Sequence, residues 1–146
     1  MNLKALSKEI TEGLKYTEGS ESIGIENAID PDLEIETDPT RLRMILSNLI
    51  SNAFRYHDKS KAEKSIHIEA HRKESQIEIR IRDNGIGISQ EYLGKIFDMF
   101  FKASDHSNGS GLGLYIANEA ALKLGGRISV DSRVGKGTTF SIFLPI

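Results

Sequence analysis

Residues 83–87 read DNGIG and end a segment in which apolar and polar side chains alternate. Three isoleucines at alternate positions before them share one face of the predicted strand, and Asp83 continues that face. A carboxylate on the core side of a strand needs a donor partner, because burial of an unpaired charge is costly. The amino group of an adenine would be such a donor. In isolation the same residues are also typical of an ordinary turn in which the aspartate caps the backbone.

A predicted helix over residues 40–56 carries a second group of polar side chains. Asn52 and Asn48 lie beside its apolar stripe, and Arg55 and Tyr56 lie on the same flank. An amide oxygen suits Mg²⁺, which takes its other ligands from phosphate and water. Arg55 would then reach a phosphate, and Tyr56 would lie over a sugar. The alternative for both asparagines is a hydrogen bond to nearby backbone.

Glycines form the third group. Residues 109–114 read GSGLGL and open a predicted helix over residues 112–124. A glycine-rich entrance exposes N–H donors, and the helix dipole favours anions there, so we expect a phosphate chain at this helix. The segment is not a Walker loop, because no Gly-Lys-Ser/Thr follows. Gly85 and Gly87 would let backbone approach a flat ring, or would serve a turn that needs positive φ.

The remaining pattern predicts the elements that position these groups. Helices are expected on one side of a mixed, mostly antiparallel sheet, which makes the fold class α+β, a two-layer α/β sandwich. The predicted helices are residues 3–16, about 38–56 with Asp38 as cap and Pro39 first, a short 89–96, and 112–124; the predicted strands are 22–27 at an edge, 33–36, the hairpin 65–72 and 76–83, and the hairpin 127–132 and 138–144. Residues 102–110 are predicted to be a mobile loop.

Composition narrows the class of protein. The chain has 146 residues, 38% of them apolar and 27% charged, which is typical of one soluble globular domain. A net charge of −2 gives no electrostatic reason to expect nucleic acid. The absence of cysteine excludes disulfides and thiolate metal sites. No apolar run is long enough to span a membrane and no secretory signal is visible, so a cytoplasmic location is expected.

Four segments, in this order, resemble the conserved boxes of one family. Nearly the whole chain resembles the catalytic, ATP-binding domain of sensor histidine kinases, within the Bergerat-fold ATPases that also include gyrase, the heat-shock chaperones and mismatch-repair proteins. The segments are residues 43–56 (asparagine box), 83–88 (first glycine box), 96–102 (phenylalanine box) and 109–114 (second glycine box). The tail, residues 124–126, 132–140 and 144–145, is also similar to these kinases.

The resemblance implies roles for individual residues. Asp83 would bind the adenine amino group, Asn52 would ligate Mg²⁺, Asn48 and Arg55 would contact phosphates and Tyr56 would line the nucleotide. Asn48, Arg55 and Lys102 would be the catalytic set. Lys102 stands where an arginine is usual, which keeps the charge but loses the planar fork. Residues 98–110 would form a lid over ATP. The other nucleotide contacts would come from Gly85, Gly87, Ile88, Phe101, Gly109, Gly111, Leu112, Gly113, Leu114 and Thr138.

The resemblance also implies a reaction. Hydrolytic relatives and the anti-sigma serine kinases carry a glutamate four residues before the metal-binding asparagine, where this chain has Asn48, a poor base. This favours phosphoryl transfer to a histidine over ATP hydrolysis. The histidines of this chain lack the setting of a phosphoacceptor; they are His57, His67, His71 and His106. The expected acceptor is therefore a histidine on a separate helical hairpin.

We accordingly expect residues 1–146 to be one catalytic domain of a longer two-component sensor protein, with residues 1–16 as the connection from a missing dimerisation hairpin. Its partners would be that hairpin and, downstream, the receiver domain of a response regulator. The parent would be a homodimer and this chain alone a monomer. Two alternatives remain at this point: a stand-alone anti-sigma-type serine kinase, and a degenerate nucleotide-binding module used for docking.

Overall fold

The computed structural model describes residues 1–16, 22–102 and 111–146. These residues form a five-stranded sheet in the order β1-β2-β3-β5-β4 and three helices. β1 runs parallel to β2, and the other neighbours are antiparallel. The elements are α1 Leu3–Leu14, β1 Ile23–Asn27, α2 Pro39–Arg55, β2 Lys64–Lys73, β3 Gln76–Asp83, α3 Gly113–Lys123, β4 Arg127–Arg133 and β5 Gly137–Pro145.

One face of the sheet and the helices share a single apolar core. Ile79 and Ile81 of β3 are fully buried, as are Leu46 and Leu49 of α2. The polar positions of β3 alternate with these isoleucines and lie on the opposite face. The predicted two-layer α+β fold, with β1 at an edge and two antiparallel hairpins, is confirmed.

The start of α2 follows from its first residues. Asp38 accepts hydrogen bonds from the backbone N–H groups of Thr40 at 2.9 Å and Arg41 at 3.2 Å. Pro39 occupies the first helical position, where its missing N–H costs nothing. The predicted cap is therefore confirmed, and it sets where the helix that carries the asparagines begins.

Two predicted elements are wrong. Residues 33–36 form only an isolated bridge, between Asn2 and Glu34, because their backbone bonds the start of the chain: Leu3 N–H donates to Leu33 at 3.2 Å. Residues 89–96 form successive turns instead of a helix, with hydrogen bonds such as Lys95 N–H to the Tyr92 carbonyl at 2.8 Å. Most of the predicted lid, residues 103–110, lies outside the described residues. Gly109 and His106 belong to this segment.

None of the helices in the described ranges is both long and apolar enough to cross a membrane.

Candidate functional site

Two adjoining cavities lie where the end of β3, the second half of α2 and the start of α3 meet. The inner one has a volume of about 90 Å³ and reaches Asp83 and Thr138. The outer one has a volume of about 240 Å³ and reaches Asn48 and Gly113. The residues that line both are Asn52, Tyr56, Ile96, Phe101, Lys102 and Leu114. The three separate segments singled out in the sequence are thus brought to one place.

Asp83 is buried at the end of β3, on the core face that strand parity predicted. Its Oδ1 accepts hydrogen bonds from the N–H of Gly85 at 2.8 Å and of Thr138 at 3.3 Å. Burial raises the pKa of Asp83 to about 6, although these two N–H groups and the charge of Lys61 act in the opposite direction. The group is therefore mainly ionised at pH 7. Its Oδ2 accepts no hydrogen bond from the described residues, so it can accept one from a molecule in the inner cavity.

The turn after Asp83 requires both of its glycines. A Cβ on Gly85 would lie 2.3 Å from the Tyr56 carbonyl oxygen. Gly87 has a φ of +76°, and a Cβ there would lie 2.0 Å from the carbonyl oxygen of Arg133. Both glycines thus serve packing of the turn against the end of α2 and the end of β4. Of the two earlier interpretations, the positive-φ turn is confirmed at Gly87.

Ser132 of β4 supports this turn and was missed in the sequence. Its hydroxyl accepts a hydrogen bond from Ile88 N–H at 2.8 Å and lies 2.8 Å from the Thr138 hydroxyl oxygen. Only 2% of Ser132 is exposed. The available signal was parity, because Ser132 continues the face of Ile128 and Val130 to the end of its strand.

The outer cavity is lined on one side by α2. Asn48 donates its amide hydrogen to the Met44 carbonyl at 2.7 Å, so the backbone-bonding interpretation is confirmed for its nitrogen. Its Oδ1 faces α3, where a Cβ on Gly113 would approach it to 3.0 Å. Asn52 is half-buried and lines both cavities. Ser51, on the same helix, also lines the outer cavity and was not identified from the sequence.

Charge and backbone donors give the outer cavity an anion-binding character. The described residues that line it include Arg55 and Lys102 and no acidic side chain. They also include the first turn of α3, where no side chain of the described residues caps the helix. A helix N-terminus beside two cations favours a negatively charged group. Gly111, which precedes α3, has a φ of +77° and packs against Phe100.

The aromatic residues that precede the undescribed segment differ in environment. Phe97 packs edge-on against Phe140 of β5 with ring centroids 6.4 Å apart, as expected for a residue anchored on the body of the domain. Phe101 lies 5.7 Å from Tyr92 and lines both cavities. Phe100, by contrast, is 64% exposed.

Comparisons with known proteins identify the family of this chain. A family model described as histidine kinase-, DNA gyrase B-, and HSP90-like ATPase matches residues 37–146. The autoinducer 2 sensor kinase/phosphatase LuxQ of Vibrio vulnificus is 39% identical over 131 residues, which are 86% of this chain and 15% of LuxQ. The sensor histidine kinase WalK of Bacillus subtilis is 37% identical over 125 residues, which are 83% of this chain and 20% of WalK. The chain thus spans a small part of these relatives.

A solved structure extends the likeness to the whole of a domain. The nucleotide-free catalytic domain of histidine kinase ThkA matches with a TM-score of 0.82 at 27% identity, over 99% of this chain and 94% of that chain. The chain therefore belongs to the histidine kinase-, DNA gyrase B- and HSP90-like ATPases, and within them it is a histidine kinase catalytic domain.

Proposed function

We propose that this domain binds Mg-ATP and donates the γ-phosphate to a histidine on a separate helical hairpin of a longer, dimeric two-component protein. One observation supports this proposal most strongly: two cavities of different character adjoin. The inner cavity ends in a buried carboxylate, and the outer cavity is lined by cations and lies at a helix N-terminus. In this proposal the adenine lies in the inner cavity, where its amino group donates to Asp83. The phosphates fit the outer cavity, where Asn48, Arg55 and Lys102 and the first turn of α3 hold them.

Positioning is the main contribution of these residues. Phosphoryl transfer demands an aligned γ-phosphate and compensation of its charge more than covalent help from the protein. Arg55 and Lys102 are exposed at the cavity rim, where their charges are available to phosphate oxygens. Asn48 is a poor base, so the site lacks a group at this position to activate water. Its Nδ2 donates one hydrogen to the Met44 carbonyl and has a second for a phosphate oxygen.

The donor set fits Mg²⁺ held mainly by the nucleotide. Among the described residues no cluster of three or more His, Cys, Asp or Glu side chains could hold a metal ion. A single amide, Asn52, between the two cavities suits an ion that keeps water and phosphate as its other ligands. When bound, such an ion would offset the charge of the phosphates.

Replacement of Asn52 by alanine is expected to weaken Mg-ATP binding more than binding of metal-free ADP, because only the first uses the amide oxygen as a ligand. Calorimetry with and without EDTA measures the difference. Ser51→Ala, one position away on the same cavity wall, is the control. An equal loss of affinity for both ligands would mean that Asn52 has a structural role.

The phosphoacceptor is proposed to lie outside this chain. His67 is 3.3 Å from Glu26 on the outer face of the sheet, His71 is exposed, and His57 contacts the Phe54 carbonyl at 2.7 Å. None of these three lines either cavity. Residues 1–16 would connect to the hairpin, and a receiver domain would accept the phosphoryl group afterwards. A cytoplasmic location belongs to the same proposal.

Radiolabelled ATP tests the reaction. The domain alone is expected to bind ATP, to show negligible ATPase activity and to remain unlabelled. Addition of the parent's helical hairpin is expected to give acid-labile label on the hairpin histidine. Labelling of serine on an added protein would favour the anti-sigma-type alternative, and binding without any transfer would favour the docking module. Rapid ATP hydrolysis by the domain would contradict the proposal.

A further inference from the structure

The loop between α2 and β2 is bonded to the back of the turn that follows Asp83. The ammonium group of Lys61 donates a hydrogen bond to the Asn84 carbonyl at 2.6 Å and lies 3.5 Å from the Gly85 carbonyl oxygen. Lys61 is itself held, because Lys64 donates to its carbonyl at 2.9 Å. The sequence marks this loop only as polar and lysine-rich, so nothing in the motifs singles out Lys61.

Asn84 ties the same loop and turn together on a second side. Its Oδ1 accepts from the backbone N–H of Ser65 at 2.9 Å, and its Nδ2 donates to the Glu63 carbonyl at 2.8 Å. The turn is thus fixed by side-chain bonds in both directions. The Asn84–Gly85 peptide group that Lys61 contacts is therefore held in place by these bonds.

The peptide group between Asn84 and Gly85 stands between two charges. Its carbonyl accepts from the ammonium of Lys61 at 2.6 Å, and its N–H donates to Oδ1 of Asp83 at 2.8 Å. The carbonyl and the N–H of a trans peptide point in opposite directions, so the chain of bonds passes straight through one peptide unit. Hydrogen bonds in such a chain polarise and strengthen one another.

We infer that Lys61 is a positioning residue for nucleotide binding, which acts through the Asn84–Gly85 peptide to hold the Asp83 carboxylate ionised and turned so that Oδ2 faces the inner cavity. This role rests on the function proposed above, in which Asp83 accepts from the adenine. Lys61 itself does not line either cavity. The inference thus assigns part of the affinity for adenine to a residue that lies behind the site.

The surroundings of Asp83 leave few other charges to replace Lys61. Among the described residues that line the inner cavity, Lys102 is the only other charged side chain and Tyr56 the only other titratable one. The positive charge of Lys61 lowers the pKa of Asp83, against the effect of burial. Loss of that charge is therefore expected to raise the pKa of Asp83 and to reduce its ionised fraction near neutral pH.

Lys61→Met tests the inference, with Lys59→Met as the matched control, because Lys59 lies exposed in the same loop and the net charge changes equally. ATP affinity at pH 7 is expected to fall about fivefold in Lys61→Met, as for coupling through a shared hydrogen-bond network. The control is expected to match the unmodified protein. The pH at which affinity is half lost is expected to rise in Lys61→Met, and Lys61→Arg is expected to restore it.

Measurements in a second variant, Asp83→Asn, distinguish failure of this inference from failure of the proposed function. In Asp83→Asn protein, Lys61→Met is expected to have no further effect on ATP affinity, because the lysine acts through the carboxylate. If Asp83→Asn alone leaves affinity unchanged, the proposed function fails. If Asp83→Asn weakens binding while Lys61→Met behaves as Lys59→Met does, only the role of Lys61 fails. Should Lys61→Met not fold, Lys61→Gln removes the charge but keeps a donor, and an unshifted pH midpoint in it would overturn the inference.

Discussion

Asparagine in place of Asp83 is expected to weaken ATP and ADP binding at least tenfold at pH 7. Loss of one charge-assisted hydrogen bond costs about 1.5–3 kcal/mol, and an amide would also present a donor in half of its orientations to the amino group of adenine. Calorimetry measures the affinity, with circular dichroism as the check that the variant is folded. Unchanged affinity in a folded variant would remove Asp83 from the site.

The same argument predicts selectivity for the base. The ionised carboxylate accepts hydrogen bonds but cannot donate, so it opposes the carbonyl that guanine carries where adenine has its amino group. ATP is therefore expected to bind more tightly than GTP to the unmodified domain, and the preference is expected to shrink in Asp83→Asn. Equal affinities for the two nucleotides in the unmodified domain would count against the assignment.

The Asp83→Asn variant is also expected to be more stable than the unmodified domain at neutral pH. Burial raises the pKa of Asp83 from 3.8 to about 6, so the protonated form favours the folded state. That contribution is fully present below about pH 4 and is lost as the pH rises through 6. This difference in pKa corresponds to a loss of about 3 kcal/mol at most in the free energy of unfolding at high pH. Asparagine carries no charge and does not incur this loss. Urea unfolding at pH 7 and pH 4 tests this: the advantage should be present at the first and shrink at the second.

Alanine in place of Gly87 is expected to lower the free energy of unfolding by about 3 kcal/mol or more, the sum of a left-handed backbone and an overpacked contact. The φ of +76° strains any residue with a Cβ, and this Cβ would lie 2.0 Å from a backbone carbonyl oxygen, which cannot move aside as a side chain can. Because the turn carries Asp83, nucleotide affinity is expected to fall as well. Urea denaturation measures the stability.

Substitutions at two other glycines distinguish the cost of the left-handed backbone from the cost of the overpacked contact. Gly135 has a φ of +81° but nothing within 4 Å of an added Cβ, so Gly135→Ala is expected to show the conformational strain alone, about 1–2 kcal/mol. Gly94 has neither a positive φ nor a neighbour within 4 Å, and Gly94→Ala is expected to be close to neutral. If Gly87→Ala costs no more than Gly135→Ala, the close packing of the turn against Arg133 does not hold in solution.

Features that depend on local pattern could be predicted from the sequence. The cap of α2 is set by two adjacent residues, Asp38 and Pro39, and the burial of Asp83 follows from the two-residue period of β3. The groups that needed long-range contacts were missed. Leu33 bonds the start of the chain instead of a strand, and Lys61 reaches a turn 23 residues away. No period or motif within either segment records such a partner.

The place of β5 in the sheet has a consequence for how binding ability arises during folding. The hairpins β2–β3 and β4–β5 join neighbours in sequence, but β3 and β5 meet across the chain, and the Thr138 to Asp83 hydrogen bond links residues 55 positions apart. Closing so long a loop is entropically costly and slow relative to hairpin formation. We therefore expect a refolding chain to regain most of its strand content before Asp83 receives its second N–H donor. Recovery of nucleotide affinity would report the final joining of the two halves of the sheet.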